Sequence, residues 1–372
     1  MSNNMTYTFI QTEEKNGVGF LTLNSPKSLN SLSAQMIVEY RDILSKWKSD
    51  PNIHCMHIQG AGGKALCAGG DVRRMHDDLV QHKKPGELND PCVHFFTQEY
   101  SLDYEVHMFP KPIVVWADGI TMGGGIGATN GASNRVVTEH SVLAMPEITI
   151  GLYPDVGATY FLNNMPQGIG TYLGMTANRI NAADALYLKM ADHFLPSDQK
   201  QKLIDMLLGL KWSADIDQNK ALVTSSINEL STSKCSLHSK VQEHEDYLRK
   251  FKDVKDAFEF RELLFSNRKK DDWLETGLNI FKTGSPASAH IIMEQLKRGS
   301  KLNLKEVFKS ELNLSLRCTL RPDFVEGVRA LLVDKDRNPR WKPVKLEQVS
   351  KDLVDTYFEP LWSEDAHPFK NL

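Results

Sequence analysis

Short apolar runs and helical stripes take turns along the first half of the chain. Residues 17–23 read as a strand, with Val18 and Phe20 on one face and Leu21 and Leu23 on the other. Asn24-Ser25-Pro26 then marks a turn. Ser33 is placed as the N-cap of a helix in which Ile37, Tyr40, Leu44 and Trp47 make one apolar stripe. Asp50-Pro51-Asn52 breaks that helix, and residues 53–59 form the next strand. Residues 112–117 are a continuous apolar run, which suits a strand buried on both faces. Residues 135–138 and 142–145 are further strands. This alternation predicts an α/β layered core. After about residue 197 the strand signals fade. Helical patterns rich in Lys, Glu and Asp dominate residues 199–332, and Ser285-Pro286 is a cap followed by an N1 proline. The expected division is 1–197 for the α/β core and 198–372 for a mostly helical region.

Composition narrows the partners. A chain of 372 residues can bury a sizeable core without disulfides or metal. Its 44 basic and 47 acidic side chains leave a net charge of −3, which argues against duplex nucleic acid as a partner. The five cysteines are odd in number and none forms a C-x-x-C pair, so neither a disulfide framework nor a zinc site is expected and a reducing compartment fits. No run approaches the ~20 apolar residues of a membrane span. The N-terminus has neither secretory nor transit-peptide character, and Lys370-Asn371-Leu372 is not a peroxisomal tripeptide. The expected compartment is the cytoplasm, or the mitochondrial matrix for a eukaryotic chain numbered from a processed start. His76 and His140 stand in polar contexts and are expected at the surface, not as ligands.

Glycine is placed unevenly. One cluster spans residues 60–71 and follows the strand 53–59; a second spans 118–127 and follows the buried strand 113–117. Each opens a helix. Such turns let backbone approach a ligand closely, and the first N–H groups of a helix have no partner within it. Two of them converging from different turns would make an oxyanion hole; a phosphate cradle is the alternative use. Neither cluster is a Walker A loop, and neither gives a clean G-x-G-x-x-G.

Two acids stand in apolar surroundings. Glu147 lies in Met145-Pro146-Glu147-Ile148, and Asp155 in Tyr153-Pro154-Asp155-Val156. Desolvation there raises a carboxyl pKa and its basicity. For Asp155, ahead of a helix over 156–163, an N-cap role stands equally open. No clear helix follows Glu147. Glu99, in Phe95-Phe96-Thr97-Gln98-Glu99-Tyr100, reads on its own as an ordinary amphipathic-helix residue.

Three stretches taken together carry a resemblance: residues 64–71, 119–125 and 145–152. They resemble the crotonase (enoyl-CoA hydratase/isomerase) superfamily, over residues 7 to about 197. Residues 151–157, 324–336 and 339–343 are similar to a group of its thioester hydrolases that act on 3-hydroxyisobutyryl-CoA, which extends the likeness over nearly the whole chain. The resemblance implies an α/β, crotonase-like (ClpP/crotonase) spiral of β-β-α units. It implies that the N–H groups of Gly70 and Gly124 hold the thioester oxygen, that Glu147 is the catalytic glutamate and Asp155 the hydrolase aspartate. It also makes Glu99 a substrate-site residue. Hydratases of the superfamily carry a further glutamate where this chain has Gly127. Addition of water across C=C wants an acid and a base on one face, so hydration is disfavoured.

The function implied is hydrolysis of a short 3-hydroxyacyl-CoA thioester, 3-hydroxyisobutyryl-CoA to 3-hydroxyisobutyrate and CoA, in valine breakdown. A hydratase or isomerase of the same fold, or a non-catalytic acyl-CoA-binding protein, is the alternative. No metal and no separate cofactor is expected, coenzyme A being part of the substrate. Lys27, Lys64, Lys335 and Arg337 are the basic residues available to its phosphates. Neither a nucleic acid nor a membrane is expected as partner, and the oligomeric state is left open.

Overall fold

Asn16 and Gly17 both take positive φ, 49° and 83°, as a two-residue hairpin turn requires. They join strand β1 (Ile10–Lys15) to β2 (Val18–Leu23), which pair antiparallel. The computed structural model describes residues 7–81, 84, 86–231, 234–267, 269 and 271–372. Its chain packs into two units. The first takes Met1–Gly70, Ser101–Leu143 and Ile180–Ser239; the second takes Asp71–Tyr100, Ala144–Arg179 and Lys240–Leu372.

In the first unit, α1 (Ala34–Ser49) starts where expected: the Ser33 side chain accepts from the Met36 N–H. Its Ile37, Tyr40, Leu44 and Trp47 are all buried, so the stripe is a packing face. Trp47 also donates from Nε1 to Glu14 Oε1 at 2.7 Å. β3 (Cys55–Gly60) leads to β4 (Ala65–Cys67), and β5 (Ile113–Ala117) to β6 (Ile120–Met122). β7 (Asn134–Val137) leads to β8 (Val142–Ala144), and β9 is His193–Phe194. β1, β2, β3, β5, β7 and β9 make one sheet, parallel from β2 onward, while β4, β6 and β8 make a second. Each of the three pairs therefore sends its first strand to the long sheet and its second to the short one. After β4 comes α2 (Val72–Gln81); α3 (Asp90–His107) precedes β5; after β6 comes α4 (Gly124–Asn130). This is the β-β-α repeat that the resemblance implies.

One face of the long sheet is closed by the helices Lys200–Gly209 and Ile216–Leu230. Leu203, Leu207, Val223 and Ile227 pack with Val18, Phe20, Cys55, Val114, Trp116 and Val136. The boundary expected at 197 falls inside the third segment of this unit. The change of character does occur there: β9 ends at Phe194, and the described elements that follow are helical.

The second unit is mostly helical. Ser285 caps the helix Pro286–Gly299 by accepting from the Ser288 N–H, as its sequence predicts. Its core is partly aromatic: ring centroids of Tyr172 and Phe251, Phe251 and Phe260, and Phe260 and Phe281 lie 5.2, 4.7 and 5.2 Å apart.

Trp47→Ala is expected to destabilise the protein by about 3–5 kcal/mol, since it empties a packed site and frees Glu14. Val38→Ala, on the exposed side of the same helix, should cost under ~0.5 kcal/mol. Urea unfolding followed by circular dichroism checks this; equal midpoints for the two variants would refute the assigned face.

Candidate active site

The two glycine-rich turns meet within the first unit. An atom at the Cβ position of Gly69 (φ 111°) would stand 3.3 Å from the Met122 carbonyl oxygen and 3.8 Å from the Gly124 amide nitrogen. Gly70 forms a parallel bridge with Leu32, whose N–H donates to the Gly69 carbonyl at 2.8 Å. A Cβ on Gly125 would lie 2.3 Å from the Cys67 carbonyl oxygen, so only glycine lets the start of α4 seat on the end of β4. Gly124 is the first residue of α4, and its N–H therefore has no acceptor within the helix. Gly127 is buried in the same helix, and no carboxylate stands at that position.

The three acids belong to the second unit, and they are brought together there. Glu99, Glu147 and Asp155 are 3, 5 and 4 % exposed. Glu99 lies on α3, so its reading as an ordinary amphipathic-helix residue is corrected: it faces the interior. Glu147 opens a 3-10 turn, Glu147–Ile150, where the sequence suggested no helical start. That turn is tied down by the Ser285 N–H on the Ile148 carbonyl at 3.0 Å and closed by Gly151, whose φ is 72°. A Cβ on Gly151 would meet the Asp323 backbone at 2.4 Å. Asp155 is not a helix cap. Gly157 occupies the N-cap of the helix Ala158–Asn163, and the Asp155 carboxylate instead accepts from the Tyr100 hydroxyl at 2.5 Å.

Burial raises the pKa of all three acids, and repulsion adds to it for Glu147 and Glu99. Glu147 is held well above the ordinary carboxylate range by burial, then by the charges of Asp155 and Glu99. Glu99 is raised by burial and by Asp155. Asp155 is pushed up to about 7 by burial, against the Tyr100 hydrogen bond, which favours its charged form. Glu147 Oε2 is buried and has no hydrogen-bond partner among the described residues. A carboxyl so placed is poised to take a proton or to attack a carbon.

Tyr100, Ser315 and Glu311 were not singled out from sequence. Glu311 accepts from the N–H groups of Gly157 and Thr159 at 2.7 and 3.0 Å, pinning the turn after Asp155. Burial pushes its own pKa up to about 8, against those donors. The signal lay in the helix Leu304–Thr319: Glu311 and Ser315 are four residues apart on a stripe whose other buried members include Val307, Phe308, Leu312 and Cys318. Polar residues on an apolar stripe mark a buried network.

Of the histidines, His140 is exposed as expected, but His76 is buried and pairs with Asp77 at 3.0 Å. Lys27, Lys64, Lys335 and Arg337 are exposed. Among the described residues, Glu243, His244 and Asp271 bring three ligand-type atoms within 4.8 Å of one another. Lys240 already pairs with Glu243 and Asp271 there, at 2.8 and 3.0 Å, and supplies the positive charge a metal would bring.

This architecture, with paired glycine turns and a buried group of acids, defines a crotonase-fold protein, and the chain belongs to the enoyl-CoA hydratase/isomerase family, whose profile matches residues 18–358. Among curated proteins it is similar to the mitochondrial 3-hydroxyisobutyryl-CoA hydrolase of Gallus gallus, with 37 % identity over 369 residues, covering 95 % of this chain and 89 % of that protein. The Homo sapiens protein of the same description is 36 % identical over 355 residues, with the same two coverages. Among solved structures, a carnitinyl-CoA dehydratase from Mycobacterium thermoresistibile matches with TM-score 0.85 and 28 % identity, over 98 % of this chain and 99 % of its own. An enoyl-CoA hydratase from Rhodobacter sphaeroides 2.4.1 matches with TM-score 0.83 and 29 % identity, over 95 % and 98 %. Among the described residues, no helix is long and apolar enough to cross a membrane.

A carboxyl whose folded pKa is raised binds extra protons in the folded state, so its contribution to stability is lost as pH rises through that pKa. Glu147→Gln removes this cost. Its melting temperature is expected to exceed that of the parent protein at about pH 8 and to converge with it towards about pH 4. A variant less stable than the parent at the higher pH would contradict the raised pKa of Glu147.

Proposed function

We propose that the protein hydrolyses a short-chain 3-hydroxyacyl-CoA thioester, 3-hydroxyisobutyryl-CoA being the substrate its curated relatives point to. The observation that carries this reading is Glu147, a buried carboxyl with one unpartnered oxygen, standing with Asp155 and Glu99 and with no second carboxylate at Gly127. The N–H groups of Gly70 and Gly124 take the thioester oxygen, and each such donor is worth about 3 kcal/mol to the developing oxyanion. Glu147, as the carboxylate, removes a proton from water while the water oxygen bonds to the acyl carbon. The C–S bond then breaks, and the proton passes to the departing CoA sulfur, leaving the free acid and CoA. Direct attack by Glu147, giving an anhydride that water opens, uses the same groups. Asp155 accepts the substrate 3-hydroxyl, and Glu99 lines the acyl site beside it.

No metal or separate cofactor enters this scheme, and the basic side chains available to the CoA phosphates are the exposed lysines and arginine named above. Hydrolysis of this ester is a step of valine breakdown. The relatives are named as mitochondrial, which favours a mitochondrial over a cytoplasmic setting. The neighbours named as a dehydratase and a hydratase raise a second chemistry on the same fold, and Gly127 weighs against it.

CoA release from 3-hydroxyisobutyryl-CoA, followed with a thiol-reactive dye, tests the proposal. The parent protein should release thiol and should not hydrate crotonyl-CoA at a comparable rate. Glu147→Gln should lower kcat by at least ~100-fold with KM little changed. Hydration of crotonyl-CoA without thiol release would overturn the reading.

A further inference from the structure

Behind Asp155 lies a row of buried hydroxyls that the proposed chemistry has not used. Tyr100 Oη donates to Asp155 Oδ2 at 2.5 Å and lies 2.5 Å from Ser315 Oγ. Ser315 Oγ lies 3.0 Å from Tyr153 Oη, which donates to the Glu311 carbonyl oxygen at 2.9 Å. Tyr100, Tyr153 and Ser315 are fully buried, so each bond is made away from competing water.

The row can be satisfied in two directions. With Asp155 charged, Ser315 donates to Tyr100 and Tyr100 donates to Asp155. With Asp155 protonated, Asp155 donates to Tyr100, Tyr100 to Ser315 and Ser315 to Tyr153. Tyr153 gives its proton to the Glu311 carbonyl in both cases, so no donor is stranded in either state. A stranded buried donor would cost about 1–3 kcal/mol. The far end is fixed, because that carbonyl belongs to the helix Leu304–Thr319 and the Glu311 carboxylate grips the turn that follows Asp155.

We propose that Tyr100, backed by Ser315, is a positioning residue that sets substrate specificity: it engages Asp155 Oδ2 and so fixes the carboxylate to offer Oδ1 to the 3-hydroxyl of the acyl group. Tyr100 touches no reacting atom. Its effect reaches the substrate through Asp155, and the inference rests on the thioesterase reading for what Asp155 recognises. The groups that face Asp155 are Glu99 and Glu147, Tyr100 and Tyr153, and Glu311 and Cys318 from the helix Leu304–Thr319. Among them, Tyr100 is the one whose side chain donates a hydrogen bond to the carboxylate in this structure.

The test compares binding of two unreactive thioether analogues, those of 3-hydroxyisobutyryl-CoA and of isobutyryl-CoA, to the full chain by calorimetry. The parent protein should prefer the hydroxylated analogue by about tenfold or more, the scale of a hydrogen bond to a charged group. Tyr100→Phe should remove most of that preference while holding the isobutyryl analogue as tightly as the parent does. Ser315→Ala should act in the same direction to a smaller extent, and it serves if Tyr100→Phe fails to fold. A merely structural role would weaken both analogues equally. That result, an unchanged preference in both variants, or a parent protein with no preference, would overturn the inference. A parent protein that shows the preference yet releases no thiol from 3-hydroxyisobutyryl-CoA would refute the thioesterase reading, and the preference would still decide the role of Tyr100.

Discussion

Glu99, Glu147 and Asp155 are three carboxyls buried in one packed unit, and the charge of Asp155 makes Glu99 and Glu147 harder to ionise. Water would screen such repulsion; here almost none of their surface is wet. The group therefore cannot carry its full negative charge cheaply near neutral pH. The surrounding structure offsets part of that cost at Asp155 and holds the acids in place. The Tyr100 hydroxyl stabilises the charged form of Asp155. The Glu311 carboxylate holds the turn that carries it, and the Ser285 N–H anchors the turn that carries Glu147.

The first unit supplies the opposite electrical character. Its glycine turns present backbone N–H groups in place of side chains, and their closeness depends on missing Cβ atoms at Gly69 and Gly125. Donors fixed by backbone need no reorganisation when negative charge develops on an oxygen, which is why such groups serve oxyanions well. A carboxyl of raised pKa is a stronger base than an exposed one. Fixed donors and a basic carboxyl are the two groups that the proposed thioester hydrolysis uses, and each is built by its own local packing.

Much of this was legible in the sequence where the cause is local. The Ser33 cap, the stripe through Ile37, Tyr40, Leu44 and Trp47, and the strand–glycine–helix junctions at Gly70 and Gly124 follow from periodicity and backbone conformation. Glu99 was not legible on its own, because helical spacing alone does not say which face meets a distant segment. The cap role left open for Asp155 failed for a similar reason: a tyrosine 55 positions earlier takes its carboxylate. The likeness of residues 151–157, 324–336 and 339–343 to a group of thioester hydrolases is what singled Glu99 out as a substrate-site candidate. His76 misled because charged sequence neighbours do not exclude burial of one side of a helix. Glu311 and Ser315 were hidden in plain pattern, as polar residues on an otherwise apolar stripe.

The central claim is that burial raises these carboxyls and that the charge of Asp155 raises Glu147 further. Carbon-13 NMR of protein labelled at Glu and Asp carboxyl carbons reads that directly, with resonances assigned through Glu147→Gln and Asp155→Asn. The expected result is an Asp155 midpoint at about 7, a Glu147 midpoint well above its ordinary value, and a lower Glu147 midpoint in Asp155→Asn. Midpoints for both residues in the ordinary range, at about 4, and independent of one another, would contradict the account.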